Sequence, residues 1–177
     1  RWGVAGLRDD ETPRVAVFTG AFFCASLLHF KVPPTSVHLL FHGLLGVVLG
    51  RRALLALPIG LGLQATLLGH GGITTLGVNA TMFGLAALAA SGLYRWLGSG
   101  GAVRPFWRGA LAAAAAVFIS GSLLAAMLWS LGEGFVWVAR YALLAHLPVL
   151  VIEAVVTGSA VEFLRRAQPA LLPGGAA

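Results

Sequence analysis

The sequence predicts an all-α integral membrane protein, a polytopic bundle of helices, and three observations support that prediction. Charged residues make up 10% of the 177 residues, against about 25% in soluble domains. Hydrophobic residues make up 58% of the chain, and the mean hydropathy is +0.89. Long apolar runs are separated by short stretches that hold nearly all the charge, as in membrane-spanning helices. The sequence therefore predicts a single transmembrane domain over residues 1–177.

The first three predicted spans are bounded by residues that break or cap helices. They cover about residues 15–30, 37–49 and 53–68. The first ends before Lys31, Pro33 and Pro34, because proline lacks an amide donor and resists helix continuation. The second follows Thr35 and Ser36, which are typical caps. With about 13 residues it is short for a full crossing, which takes about 20.

The other three predicted spans are longer and are separated by glycine-rich or polar turns. They cover about residues 73–97, 106–131 and 136–164. The glycine-rich turn at residues 69–72 precedes the first of them, and a Gly/Ser hinge at residues 98–101 follows it. The sequence thus predicts about six spans.

Basic residues flank the spans and predict how the chain lies in the membrane. Lysine and arginine favour the cytoplasmic ends of spanning helices. With Arg1 in the cytoplasm, only Lys31 and Arg140 of the 12 basic residues lie outside. The ten cytoplasmic arginines are residues 1, 8, 14, 51, 52, 95, 104, 108, 165 and 166. We therefore expect a multi-pass protein of the cell (inner) membrane, with both ends of the chain cytoplasmic and the histidine-bearing turns at 31–38 and 70–74 outside.

The scattered basic residues argue against a nucleic-acid-binding function, even though the net charge is +6. A nucleic-acid surface needs basic residues clustered on one solvated face.

The tryptophans lie at or near span ends, as an interfacial belt requires; they are residues 2, 96, 107, 129 and 137.

Small residues are abundant and predict close helix packing. Gly43, Gly46 and Gly50 lie near one face of the second span, and five alanines run from Ala112 to Ala116. Helices in lipid associate through such residues. Tight packing within the bundle is one interpretation, and docking of a partner membrane subunit is the other.

Ionisable residues within or beside the spans are the candidate functional residues, because such groups are costly in a membrane. They are His29, His38, His42, His70, His146 and Glu153. His38 and His42 are four residues apart, so on a helix they share a face and are candidates to bind a metal or a proton. Two buried, hydrogen-bonded histidines are the alternative. Leu39 stands where a zinc-protease motif has glutamate, and His70 adds a third imidazole on an outward turn.

Glu153 follows His146 by two helical turns on the same predicted face. A structural hydrogen bond to a neighbouring helix is the preferred interpretation of this carboxylate, and a gating or proton network is the alternative. The glycine-rich stretch from Gly69 to Gly77 has no preceding strand and lacks a P-loop lysine. It is predicted to be a re-entrant or sharply turned segment at a polar cavity, with Gln64 and Asn79 as supporting donors.

Several blocks of sequence, in order, resemble the CbiM/NikM family, the substrate-binding membrane subunits of energy-coupling-factor cobalt/nickel transporters. The resemblance extends from about Asp10 to Leu172. Its blocks are Val32-Pro-Pro-Thr-Ser-Val-His38, residues 43–50, Gln64-Ala65, residues 70–79, and His146-Leu147-Pro148 with Glu153 and Thr157.

This resemblance implies uptake of Co(II) or Ni(II) as the transported substrate, without a tightly held organic cofactor. It implies a transport subunit and not an enzyme. Separate cytoplasmic ATPase subunits, a membrane-embedded T subunit and in some systems a small accessory membrane subunit are the implied partners. In the family, an amino-terminal Met-His pair and a histidine matching His38 hold the metal, with one matching His70 nearby. The expected ligands are therefore His38 first and His70 second. His42 departs from the family, which more often has a non-ionisable residue at this position. It is the third candidate ligand, and a proton relay or a hydrogen bond to a neighbour is the alternative.

The family has seven spans, and this chain begins at the loop that follows the family's first one. An alternative is therefore an accessory or structural membrane subunit that keeps the scaffold but has lost the metal site with its first span. A membrane oxidoreductase or hydroxylase with histidine-bound metal is a third hypothesis. It is disfavoured because it needs more histidines, commonly with carboxylates, at one site.

Overall fold

The computed structural model describes residues 11–27, 29–32, 35–69 and 71–174, with the backbone alone for 29–32 and 35–38. It confirms the predicted helical bundle. The helices are α1 (Glu11–Ser26), α2 (His42–Leu49), α3 (Ala53–Leu67), α4 (Leu76–Ser99), α5 (Pro105–Ser130) and α6 (Val136–Ala167). Two strands, β1 (His29–Val32) and β2 (Thr35–His38), lie between α1 and α2. Short 3-10 turns occupy Gly50–Arg52, Glu133–Phe135 and Pro169–Leu171.

Every predicted apolar run contains a helix, but not every helix is long enough to span a membrane. Among the described residues, four helical segments are long and apolar enough: His42–Leu67, Leu76–Ser99, Pro105–Ser130 and Glu133–Ala167. The first of these runs through α2 and α3 across Gly50, whose φ of 57° interrupts the helical path. Helix α1 has 16 residues, fewer than the roughly 20 of a full crossing.

The largest difference from the sequence prediction is the segment between α1 and α2. Residues 29–30 and 37–38 were predicted to be helical, but they lie in an antiparallel hairpin in which His29 is opposite His38 and Val32 is opposite Thr35. The β-branched residues Val32, Thr35 and Val37 favour extended backbone. The predicted second span therefore begins as a strand, and its helix starts only at His42.

Arginines collect at one end of the bundle, which we call the basic end. Arg52 forms an ion pair with Glu11 at 2.8 Å, and the Arg14 guanidinium donates to the carbonyl oxygens of Val48 and Leu171. Arg108 of α5 likewise donates to the Tyr94 carbonyl of α4 at 3.2 Å. At the basic end, Arg14 therefore connects the start of α1 with the end of α2 and with the turn after α6. Arg108 connects the start of α5 with the end of α4.

Helix α2 is enclosed by α4 and α5, and small residues make this possible. A Cβ on Gly43 would lie 2.7 Å from Ala113 Cα. His42 of α2 faces Phe83 of α4, and Gly46, four residues later, faces Ala87, which is also four residues later. The two helices therefore run parallel. The predicted glycine face packs within the bundle, which agrees with the first interpretation, close packing of helices within this chain.

Exposed tryptophans form two belts. Trp96 and Trp107 lie near the basic end and are 71% and 56% exposed, whereas Trp129 and Trp137 lie at the opposite end and are 65% and 76% exposed. Trp107 and Trp129 are 22 residues apart on α5, which at 1.5 Å per residue is about 33 Å. That separation matches a hydrocarbon core of about 30 Å, so the helices of the bundle lie across a bilayer. Trp2 lies outside the described residues.

Candidate functional site

The candidate site is a buried polar centre where α2 begins, halfway along its neighbours. Helix α2 has eight residues, about 12 Å of helix, so it covers less than half of the membrane. Its first residue, His42, contacts Ser120 near the middle of α5 and approaches Glu153 near the middle of α6. A helix that begins at this depth exposes backbone N–H groups that water does not reach, so the protein must supply their partners.

Glu153 supplies the partner for two of those groups. Its Oε1 accepts hydrogen bonds from the N–H of Leu40 at 2.8 Å and of Phe41 at 3.1 Å. Successive N–H groups aimed at one oxygen form an anion-binding nest. Glu153 is 0% exposed. The predicted structural hydrogen bond is present, but its donors are the non-helical residues 40 and 41 and not a neighbouring helix.

Phe41, between strand and helix, has a left-handed backbone with φ 46°. Non-glycine residues rarely adopt this conformation, and where they do the surrounding structure holds them in place. Here Phe41 packs against the buried cluster that includes Val117 and Val149. The entry to α2 is therefore fixed by both packing and the Glu153 hydrogen bonds.

The His42 ring is 2% exposed and lies between three elements. Its Nε2 is 3.2 Å from Ser120 Oγ, and its ring centroid is 5.3 Å from that of Phe83. Its Nδ1 is 3.9 Å from Glu153 Oε2, too far for a hydrogen bond, and within the described residues neither atom has a hydrogen-bond partner. Polar atoms therefore face each other inside the bundle.

The order Ser120, His42, Glu153 superficially resembles a hydrolytic triad. Ser120 is 3% exposed, however, and its hydroxyl donates to the Val117 carbonyl at 3.1 Å. A nucleophile needs access to substrate and a base within hydrogen-bond reach of an acid. The buried serine and the 3.9 Å gap identify this group as a polar packing network.

The predicted ligands fall in three different settings. His38 is the last residue of β2, and His42 is the first of α2. The argument that the two share a helix face is therefore wrong, because residues 39–41 between them are not helical. His70 lies outside the described residues. Among those residues, no group of three or more His, Cys, Asp or Glu side chains is placed to hold a metal.

His29 was among the ionisable residues singled out from the sequence, but it was not selected as a metal ligand. The backbone register places it directly opposite His38, and opposite residues of an antiparallel pair lie on the same face of the ribbon. A signal for this pairing was present, because His29 precedes Pro33 by four residues and His38 follows Pro34 by four.

The segment near His70, predicted to be re-entrant or sharply turned at a polar cavity, is a sharp and exposed turn in its described part. Residues 71–75 are exposed, and α4 begins at Leu76, later than predicted. Gly69, Gly71 and Gly72 have positive φ, which explains why glycine occupies these positions. Nearby, Asn79 Nδ2 approaches Thr75 Oγ1 at 3.5 Å.

Two further predicted polar residues lie apart from these contacts. Gln64 is buried at 2% exposure on α3. His146 Nδ1 lies 2.7 Å from the Ala142 carbonyl of its own helix. The ring of His146 packs against Gly121 of α5. His146 and Glu153 therefore contact different parts of the protein, although they lie two turns apart on α6.

Together, the apolar helices, the tryptophan belts and the half-helix define a polytopic membrane protein with a discontinuous span, a form typical of transport proteins. Residues 1–171 match the family model CbiM, described as the cobalt uptake substrate-specific transmembrane region. The chain belongs to this family, whose members are components of metal transporters and not enzymes.

Relatives of the chain carry related descriptions. The chain is 27% identical to a putative metal transport protein of Haemophilus influenzae, an alignment covering 96% of this chain and 84% of the relative. It is 31% identical to the cobalt transport protein CbiM of Sorangium cellulosum, over 90% of this chain and 76% of the relative.

Two solved structures share the fold. One is described as a truncated transition metal transporter, with a TM-score of 0.76 and coverage of 92% of this chain and 84% of that chain. The other, a transition metal transporter, gives a TM-score of 0.75 and covers 92% and 79%. Both are 24% identical to this chain, and the likeness establishes the common fold.

Proposed function

We propose that this chain is the metal-binding membrane subunit of an energy-coupling-factor importer, which captures Co(II) or Ni(II) at the outer face for ATP-driven uptake. The observation that carries the proposal is the match of residues 1–171 to a cobalt uptake family. The metal is the transported substrate, and the chain binds and releases it without breaking bonds.

The proposed ligands are imidazole nitrogens of the β1–β2 hairpin and of the glycine-rich turn at residues 69–72. Imidazole suits both Co(II) and Ni(II). We assign His38 as the principal ligand and His70 as the second, and add His29 because it lies opposite His38 in the hairpin register. His42, the third expected ligand, contacts Ser120 within the bundle, which favours a place beneath the site over one in it.

The basic end is proposed to face the cytoplasm. Positive charge is enriched at the cytoplasmic ends of spanning helices, and Arg14, Arg52 and Arg108 make their contacts at this end. The hairpin then faces outward. The cytoplasmic ATPase subunits and the membrane-embedded T subunit would act from the basic end and from within the bilayer, and a small accessory membrane subunit is a further proposed partner.

Titration of the purified full-length protein in detergent with Ni(II) and Co(II), read by calorimetry, tests the proposal. We expect His38→Ala to weaken binding by more than about 100-fold, beyond the 10–100-fold typical of residues that only support a ligand. His146→Gln is the matched control, because that ring engages its own helix. Unchanged binding in His38→Ala would contradict the ligand assignment, and a wild-type protein without metal affinity would favour the accessory-subunit alternative.

A further inference from the structure

We propose that Glu153 is a positioning residue for the metal site, because it fastens residues 39–41 to α6 and so sets where the strand ending at His38 lies. This inference rests on the proposed function, because the position of His38 matters for metal binding only if His38 is a ligand. No step in it requires Glu153 to touch the metal.

The connection between Glu153 and His38 is short. Leu40, which donates to Glu153 Oε1 at 2.8 Å, follows His38 by two residues. Two residues of extended chain span at most about 7 Å. The end of β2 therefore has to lie within this distance of the Leu40 amide, so the position of Leu40 limits where His38 can lie, and metal ligands tolerate little displacement.

The two amides of the nest depend on this carboxylate for a partner. Leu40 and Phe41 lie between β2 and α2, so neither the hairpin ladder nor the helix pairs their N–H groups. Leu40 is 7% exposed and Glu153 0%. Without water at this depth, an amide that loses its acceptor stays unsatisfied, and the segment has to move to find another.

The strained backbone beside the nest makes this movement easier. Phe41 holds φ 46°, a conformation that persists only where the surroundings enforce it. When the Glu153 hydrogen bonds are lost, the apolar packing of Phe41 remains as the constraint on its backbone. We therefore expect the whole segment 35–41, and not the rest of the bundle, to loosen.

Two substitutions distinguish a positioning role of Glu153 from other roles of a buried carboxylate, because one removes the charge and the other shortens the side chain. Glu153→Gln keeps the length of the side chain and an oxygen that accepts both N–H groups, but removes the charge. Glu153→Asp keeps the charge but withdraws the carboxylate by one carbon–carbon bond, about 1.5 Å. A metal ligand or a proton carrier needs the carboxylate itself, whereas a positioning residue needs its reach.

Two measurements on the full-length protein in detergent test the inference. Hydrogen exchange of peptides covering residues 35–41 reads the fastening directly, and calorimetry with Ni(II) reads its consequence. We expect Glu153→Asp to speed exchange in this segment by more than about tenfold and to weaken Ni(II) binding by about 10–100-fold, the range for residues that orient ligands. Glu153→Gln should stay closer to wild type than Glu153→Asp in both measurements, because it keeps an acceptor within reach of both amides.

Thr157→Val is the matched control, because Thr157 is one turn away on α6 and 0% exposed, and its Oγ1 has no hydrogen-bond partner within the described residues. It should leave both measurements unchanged. The opposite pattern, with Gln impaired and Asp normal, would overturn positioning in favour of a role for the charge. Faster exchange with unchanged affinity in Glu153→Asp would also overturn it. If wild type binds no Ni(II), the proposed function fails, while the exchange data still decide whether Glu153 fastens the segment.

Discussion

Gly46 of α2 lies against Ala87 of α4 so closely that a Cβ on residue 46 would sit 2.1 Å from the Ala87 carbonyl oxygen. Real Cβ atoms do not approach backbone this closely, so glycine is required at this position. The contact packs α2 directly against α4, and α2 carries the polar centre at its first residue, at mid-depth in the bundle.

Gly46→Ala should therefore destabilise the protein, because the new methyl group meets rigid backbone. Overpacking typically costs about 1–3 kcal/mol, and a backbone clash belongs at the upper end of that range or above it. Thermal unfolding in detergent would measure the loss. Gly62→Ala on α3 is the control, since nothing lies within 4 Å of its Cβ position; it should be neutral or slightly stabilising. Equal melting temperatures for the two variants would show that α2 is not held in this way.

The orientation of the bundle is testable at the two ends of α5. We replace Cys24, the single cysteine of the chain, with alanine, and introduce Ala102→Cys before α5 or Glu133→Cys after it. Because positive charge stays in the cytoplasm, a membrane-impermeant maleimide should label residue 133 in intact cells.

Residue 102, near Arg104 and Arg108, should react only after permeabilisation. Labelling is read on a gel as a mass shift. The reverse pattern would place the basic end outside and would remove the support for capture of metal at the hairpin face.

Local sequence patterns were sufficient to predict the helical bundle. Apolar run length, glycine-rich turns and flanking charge identified each helical segment, because these features act within a few residues. The spacing of Gly43 and Gly46 likewise indicated close packing, although not which helices they would meet. The arginine distribution predicted one shared end, and the contacts of Arg14 and Arg52 lie there.

The polar centre could not be predicted in the same way. The hydrogen bond from Leu40 to Glu153 joins residues 113 positions apart, whereas a local sequence pattern relates only residues close together in the chain. The late start of α2 was also hidden, because an apolar run can continue through a strand into a helix without a change of composition. The i, i+4 argument for His38 and His42 failed for this reason.

The hairpin register leads to a last prediction, on His29. Its backbone is paired with that of His38 across the ribbon, and imidazole nitrogen is a ligand suited to Co(II) and Ni(II). We expect His29→Gln to weaken Ni(II) binding by about tenfold or more, less than His38→Ala, because the principal ligand remains. Calorimetry gives the affinity, and the near-ultraviolet and visible spectrum of bound Co(II) reports the ligand set, so loss of a nitrogen should change its bands. Lys31→Gln is the control, since it alters the same strand without removing an imidazole. A Co(II) spectrum identical to that of wild type in His29→Gln would exclude His29 from the metal's coordination sphere.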